Sequence, residues 1–181
     1  MDFKEVVETR RSIRKYTEKE IPDEALRECV RLASFSPSWK NSQCISYMII
    51  KDKAIKDEIA EKAVAGFALN TKTITRATAL CIVLITNGIS GFDPDGSFST
   101  SKGNGWEMFD AGIASQTFCL AAHSLGIGTV ILGYLDDAKV AEIAGIPEGK
   151  TAAALIAMGY PEKIGQMPPR KTVDELLEIK K

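Results

Sequence analysis

The chain is poor in the residues that build metal and nucleophile chemistry. Of its 181 residues one is a histidine, His123, and the four cysteines stand far apart as Cys29, Cys44, Cys81 and Cys119. A zinc site needs several clustered N, S or O ligands, and no CxxC pair or second histidine provides them. Each cysteine lies in an apolar stretch and reads as a reduced, buried thiol. Hydrolytic metal chemistry and a Ser/His/Asp arrangement are therefore both weakly supported. Charge of one sign is missing too. Lys and Arg total 23 against 24 Asp and Glu, so no global basic field points to nucleic acid. No apolar run reaches the roughly 18 residues of a membrane-spanning helix. Met1–Glu5 alternates acid and base without an apolar signal core, and the expectation is a soluble, cytoplasmic protein. Apolar residues at 45% and charged residues at 26% exclude a disordered or collagen-like chain. The length suits one domain, or one domain with appendages, burying roughly 70% of its unfolded surface.

Hydrophobic spacing lays out the elements. Phe3, Val6 and Val7 predict a helix over residues 2–9, and Leu26, Cys29, Val30 and Ala33 a second over 22–34. Pro22 suits its first turn, where Asp23 and Glu24 complement the helix dipole. Residues 44–51 read as a strand and 54–67 as a charged amphipathic helix. The continuous apolar runs 79–86, 128–135 and 151–159 read as strands buried on both faces. Residues 106–125 form a long helix, apolar nearly all round through Phe109, Ile113, Phe118, Leu120, Ala121 and Leu125. It is expected to be central and buried, with Ala111, Gly112, Ala114 and Ser115 allowing close approach. The Gly/Ser-rich stretch 87–105 is a long loop of the kind that is usually functional or mobile. The tail, 166–181, carries Pro168-Pro169 and a short amphipathic segment with Val173, Leu176 and Leu177. The order α-α-β-α-β-α-β-α-β suggests an α/β-type sheet with helices on both faces.

Three nucleotide or metal motifs fail on inspection. Gly145–Thr151 is one residue short of a phosphate loop and leads into a strand where a helix is required. Gly126, Gly128 and Gly133 precede a strand, and Ile131 occupies the third glycine position of the dinucleotide fingerprint. Asp93-Pro94-Asp95-Gly96 is a turn, because the ligand spacing of a calcium loop breaks down after it.

Three segments survive. Arg10-Arg11-Ser12-Ile13-Arg14-Lys15 packs four cations into six residues with no acid among them. Whether helical or extended, it can converge Arg10 and Arg14 on one anion, and guanidinium favours bidentate phosphate contact. A solvated basic turn closing the first helix is the other reading. Ser36-Pro37-Ser38-Trp39-Lys40-Asn41-Ser42-Gln43 is a polar connector between helix and strand. Its hydroxyls and the amides of Asn41 and Gln43 can donate and accept, as a heteroaromatic edge requires; an ordinary helix-ending turn is the alternative. Arg170-Lys171, after two prolines, is by itself a solvated charge pair.

Together these segments resemble the FMN-dependent nitroreductase family. Arg10–Arg14 is similar to its RRSxR-type segment and Ser36–Gln43 to its SPSxxNxQ segment. Asp110–Gln116 resembles its DxGxAxQ-type central helix, Leu125–Gly133 its Gly-rich helix-to-strand passage, and Gly159-Tyr160-Pro161 with Arg170-Lys171 its C-terminal part. Two departures stand out: Cys44 replaces the usual proline after the glutamine, and the chain is short for the family.

The resemblance implies an α+β fold, a three-layer α-β-α sandwich around a mixed central sheet, assembled as a homodimer with FMN at the interface. Residues 1–165 would form the FMN-binding domain and 166–181 an extension packing on the partner subunit. By family pattern Arg10, Arg11, Ser12 and Arg14 would hold the phosphate and ribityl chain, with Arg170 and Lys171 meeting the phosphate from the C-terminal side. Pro37, Ser38, Asn41 and Gln43 would line the ring from the partner. Ile131, Leu132 and Gly133 would face the flavin's reactive edge, with Asn70 and Lys72 nearest to the family's Asn and Lys. The implied activity is ping-pong hydride transfer from NADH or NADPH through FMN to a nitroaromatic, quinone or other conjugated acceptor, without nucleic acid or membrane partners. A flavin carrier or sensor without turnover, and a colourless dimeric interaction module, are the rival readings. The colour and NAD(P)H turnover of the purified protein separate the three.

Overall fold

The computed structural model describes all 181 residues. Helices α1 (Phe3–Thr9) and α2 (Asp23–Ala33) lead to strand β1 (Ile45–Ile50), with a single 3-10 turn, Trp39–Asn41, between α2 and β1. Then follow α3 (Lys53–Lys62), α4 (Ala68–Arg76), β2 (Ala79–Thr86), α5 (Gly105–Ser124), β3 (Gly128–Leu132), α6 (Asp137–Ala144), β4 (Lys150–Gly159) and α7 (Val173–Leu176). Local chemistry sets many of the ends. Asp2, Asp52 and Asp136 accept the backbone N–H groups of Glu5, Ile55 and Lys139 at the starts of α1, α3 and α6. Gly145 closes α6 in the left-handed region at φ 67°.

The strands form one sheet in the order β1-β2-β4-β3. Every ladder in it is antiparallel. The expected mixed sheet is therefore corrected: the one parallel contact on this sheet is an isolated bridge between Ser12 and Thr129. Continuous apolar runs report that both faces are covered, and they carry no information about strand direction. Successive side chains of β2 serve two cores. Leu80, Ile82 and Leu84 pack with Ile59, Ala60 and Ile74 of α3 and α4 and Val140 of α6. Cys81, Val83 and Ile85 pack with Leu26 and Cys29 of α2 and Phe118 and Cys119 of α5. Each such aliphatic side chain taken fully out of water contributes roughly 1.5–3 kcal/mol, so the three layers hold each other.

Three further expectations change. The amphipathic helix read over 54–67 ends at Lys62, and a separate α4 follows that the spacing did not reveal. The strand read over 128–135 stops at Leu132. Helix α5 is not buried all round: Phe109 and Met108 are 58% and 56% exposed, and Gly112 and Gln116 continue the same open stripe. The tail beyond Pro161 is exposed throughout, including Met167, Val173, Leu176 and Ile179. No helix is long and apolar enough to cross a membrane.

Candidate functional site

The Arg10–Arg14 segment runs as an extended chain along the outer edge of β3. Ser12 bridges Thr129, and the Ile13 N–H donates to the Thr129 carbonyl at 2.9 Å. Two glycines make this docking fit. A Cβ at Gly128 would stand 2.7 Å from Ile13 Cγ1, and one at Gly159 would stand 2.9 Å from the Tyr16 ring. Gly128 and Gly159 face each other across the β3–β4 ladder and form one flat seat for residues 13–16. The Tyr16 hydroxyl shares its proton between the carbonyls of Ile13 and Ala157, and burial raises its pKa.

The cations of this segment have different duties. The Arg11 guanidinium turns back on α1, donating to the carbonyls of Glu8 and Arg10, both at 2.7 Å. Arg10 and Arg14 take part in none of the chain's ion pairs. His123 of α5 lies behind them. The Thr9 hydroxyl donates to the Glu5 carbonyl at 2.6 Å, so His123 Nε2, 2.8 Å away, donates to Thr9. Burial, reinforced by the Arg10 and Arg11 guanidiniums and opposed by Glu5, holds the His123 imidazole below its ordinary value.

The end of β3 belongs to the same region. The Thr129 carbonyl points outward to Ile13, and strand alternation turns the backbone groups of Ile131 the same way. Ile131 and Gly133 are exposed and Leu132 is buried between them. Phe67 meets Tyr134 edge-on at 5.5 Å, which brings the start of α4 beside the residue after Gly133. Asn70 is buried in the first turn of α4, whereas Lys72 is exposed. Arg170 and Lys171 lie in the exposed tail.

The Ser36–Gln43 segment sits elsewhere, against the N-terminal half of α5. Three of its residues, Lys40, Asn41 and Gln43, hold left-handed φ values of 46°, 54° and 50°. Ser38 Oγ accepts the Gln43 N–H at 3.0 Å, and the Asn41 N–H donates to the Ser38 carbonyl at 3.0 Å. Buried Asp110 anchors the turn by accepting the Trp39 N–H, and the Trp39 and Trp106 rings pack at 4.8 Å. Pro37 and Ser38 border a cleft of about 340 Å³ between α2, β1 and α5. The sequence placed Asp110 in a motif without a role. Its signal is a carboxylate in a largely apolar helix, one turn after Glu107, which accepts the Gly88 N–H at 2.7 Å.

One chain thus brings Arg10–Arg14 and Ile131–Gly133 together, with the start of α4 near the end of β3, and keeps Pro37–Gln43 apart. Trp39 touches α5 at Asp110 and Thr9 touches it at His123. Thirteen helical residues at 1.5 Å each separate those points by about 20 Å.

The sequence model of the nitroreductase family matches residues 7–160. The chain belongs to the nitroreductase family. A Methanothermobacter thermautotrophicus protein assigned as an NADH dehydrogenase/NAD(P)H nitroreductase is 31% identical over 165 residues, covering 89% of this chain and 78% of that one. The fold superposes on a nitroreductase family protein from Streptococcus pneumoniae with a TM-score of 0.86 at 21% identity, covering 99% and 100% of the two chains. The NADPH:FMN oxidoreductase of Vibrio harveyi, solved in complex with NAD+, superposes with a TM-score of 0.80 at 25% identity, covering 98% of this chain and 76% of that one. This nitroreductase-family protein is accordingly an oxidoreductase of a flavin- and NAD(P)H-linked kind.

Proposed function

We propose that the protein is an FMN-dependent oxidoreductase working as a homodimer. NADH or NADPH would supply the hydride, and a nitroaromatic, quinone or other conjugated acceptor would take the electrons in a second half-reaction. The observation that carries this reading is the separation of the two motif segments along α5. The midpoint between Asp110 and His123 falls at Gln116, between the open stripe that runs from Met108 through Phe109 and Gly112 on one side and exposed Ser124 and Leu125 on the other. Two copies packed antiparallel through that stripe would set Pro37–Gln43 of each beside Arg10–Arg14 of the other. Gly112, lacking a Cβ, favours such an approach.

The residues fit FMN. Two buried side-chain polar atoms without a partner, Ser36 Oγ and Trp39 Nε1, lie on the Ser36–Gln43 segment. Such orphans are costly unless something arrives to satisfy them. Arg10 and Arg14 would hold the phosphate, with Ser12 on the ribityl chain and Arg11 keeping α1 in place beside them. Arg170 and Lys171 would close on the phosphate. The outward backbone of Ile131 to Gly133 would meet the ring edge, Asn70 and Lys72 would approach it from α4, and Pro37, Ser38, Asn41 and Gln43 would cover it from the partner. FMN, when bound, supplies the hydride and electron chemistry, and the chain supplies pose and exclusion of water.

The extension 166–181 would pack on the partner. Its apolar residues find no cover in their own chain. Two adjoining clefts sharing Val30 and Ser34 run between α2 and the open edge of β1, lined also by Leu26, Ile45, Tyr47 and Ile49.

The test is the visible spectrum of the purified protein, identification of the released cofactor, and steady-state NADH or NADPH oxidation with a quinone or nitroaromatic. A yellow, FMN-containing protein with turnover is expected. A colourless protein that does not retain added FMN would overturn the reading, and a yellow one without turnover would make it a flavin carrier.

A further inference from the structure

We propose that Asp110 is the positioning residue of the Pro37–Gln43 segment, its carboxylate holding the Trp39 N–H and thereby setting where Pro37, Ser38 and Asn41 stand. The effect on FMN rests on the flavin role proposed above; the hold on the segment does not.

Asp110 is 3% exposed, and no cation faces it among its polar contacts. A buried carboxylate without a counter-ion is expensive and persists where donors surround it. The donors come from the 36–44 stretch and from the loop between β2 and α5. The Trp39 N–H reaches Oδ2 at 3.0 Å and Oδ1 at 3.2 Å, the Ser90 hydroxyl donates to Oδ2 at 2.7 Å, and Cys44 Sγ lies 3.8 Å from Oδ2. One side chain therefore ties the 36–43 turn, the start of β1 and the β2–α5 loop to the central helix. An apolar residue would serve the packing of α5 equally well, so packing does not explain a charge there.

The segment it holds requires holding. Non-glycine residues in the left-handed region persist only where the surroundings over-determine them. Lys40, Asn41 and Gln43 all adopt that conformation directly after Trp39. The bonds inside the turn close it on itself but do not fix it to the body. The Trp39–Trp106 contact and the exposed Lys40–Asp93 pair at 3.5 Å attach its side chains. The Trp39–Asp110 bond attaches its backbone.

Asp110→Asn and Asp110→Ala test this in the full-length protein. Hydrogen exchange of the Trp39, Asn41, Ser42 and Gln43 amides should accelerate by about tenfold or more, while amides in β2 and β4 keep their rates. FMN affinity, read by fluorescence titration, should fall by roughly tenfold in Asp110→Asn and further in Asp110→Ala. Combined with Asn41→Ala, the loss should be smaller than the product of the two single effects, because both act through one segment. Ser90→Ala, which removes one donor and leaves the carboxylate, should move exchange and affinity the same way by less, and it carries the test if the Asp110 variants do not fold. Unchanged exchange at 39–43, or acceleration spread equally over β2 and β4, overturns the positioning role whatever FMN does. Selective acceleration in a protein that binds no FMN leaves that role standing and removes the flavin reading instead. FMN affinity unchanged in a variant with accelerated exchange separates the segment from the cofactor and overturns the inference as a statement about FMN.

Discussion

Two arginines three residues apart in sequence do unlike work. Arg11 spends its guanidinium on the last carbonyls of α1, while Arg14 has no acidic partner. Charge-assisted contacts contribute about 1.5–3 kcal/mol each, so Arg14→Ala should weaken FMN affinity roughly 10- to 150-fold. Arg11→Ala should act mainly on thermal stability, through the end of α1. A flavin titration giving equal affinity for wild type and Arg14→Ala would remove Arg14 from the site. His123 sets a pH dependence of stability. Burial first, then the Arg10 and Arg11 charges, depress its folded pKa below the ordinary 6.5. Above that value the ring is neutral in both folded and unfolded chains. As pH falls below it, the unfolded chain takes up a proton that the folded chain refuses, so stability declines with falling pH until the folded ring titrates as well. His123→Gln, which keeps a donor toward Thr9, should flatten that part of the profile in urea titrations at a series of pH values. An unchanged slope would show that other groups carry it.

At the scale of elements, the 87–105 stretch is built more firmly than its glycine content suggests. Phe92 and Phe98 pair with each other at 5.0 Å, and the pair forms one wall of a cleft bordered by Asn87, Asn104 and Met108. The Asp93 N–H donates to the Ser97 carbonyl and the Ser99 N–H to the Gly91 carbonyl, each at 2.9 Å. The Asp93 carboxylate also accepts the Ser99 hydroxyl at 2.6 Å. Gly91 is a structural requirement at φ 85°, where a Cβ would lie 2.8 Å from the Gly103 carbonyl oxygen. The Asp93, Gly96 and Ser99 amides should therefore be protected from exchange before any ligand is added, and Gly91→Ala should expose them. Fast, uniform exchange across the stretch in the ligand-free protein would instead mark it as a mobile lid.

For the whole molecule, the open stripe of α5 and the uncovered tail are the surfaces that the proposed second copy would cover. Gly112→Glu puts a charge in the middle of the stripe, and truncation after Gly165 removes the extension. If the proposed dimer forms through this stripe, Gly112→Glu should shift the protein to a monomer by sedimentation and lose bound FMN with the dimer, since each proposed site takes residues from both copies. Truncation should weaken dimerisation and remove Arg170 and Lys171 from the phosphate. The interface should be of the large class, above about 2,000 Å². A Gly112→Glu monomer that keeps FMN at micromolar concentration would show that one chain suffices.

Residue type and spacing alone determine a good deal here. The run Ala79–Thr86 is a strand from end to end because eight residues without a charge or a turn former can only be covered on both faces. The 3.6-residue period marks α2, and an apolar run too long for a strand marks α5, each within a residue or two of its ends. The motif segments are legible because cations, hydroxyls and amides crowd there in short spans. Strand direction is not legible, because a side chain's apolarity reports that it is covered and not which way its neighbour runs. Helix α4 escapes because the pattern legible over 54–67 ends where α4 begins; Ala65 and Gly66 break the chain in the left-handed region, and the cover of α4 comes from its packing with α3 on β2. Division of labour among Arg10, Arg11 and Arg14 depends on where the α1 carbonyls point. The hold of Asp110 on Trp39 joins residues 71 apart in sequence. Such contacts exist only once the sheet has set α5 beside the 36–43 turn, so the tertiary structure alone decides which polar groups meet.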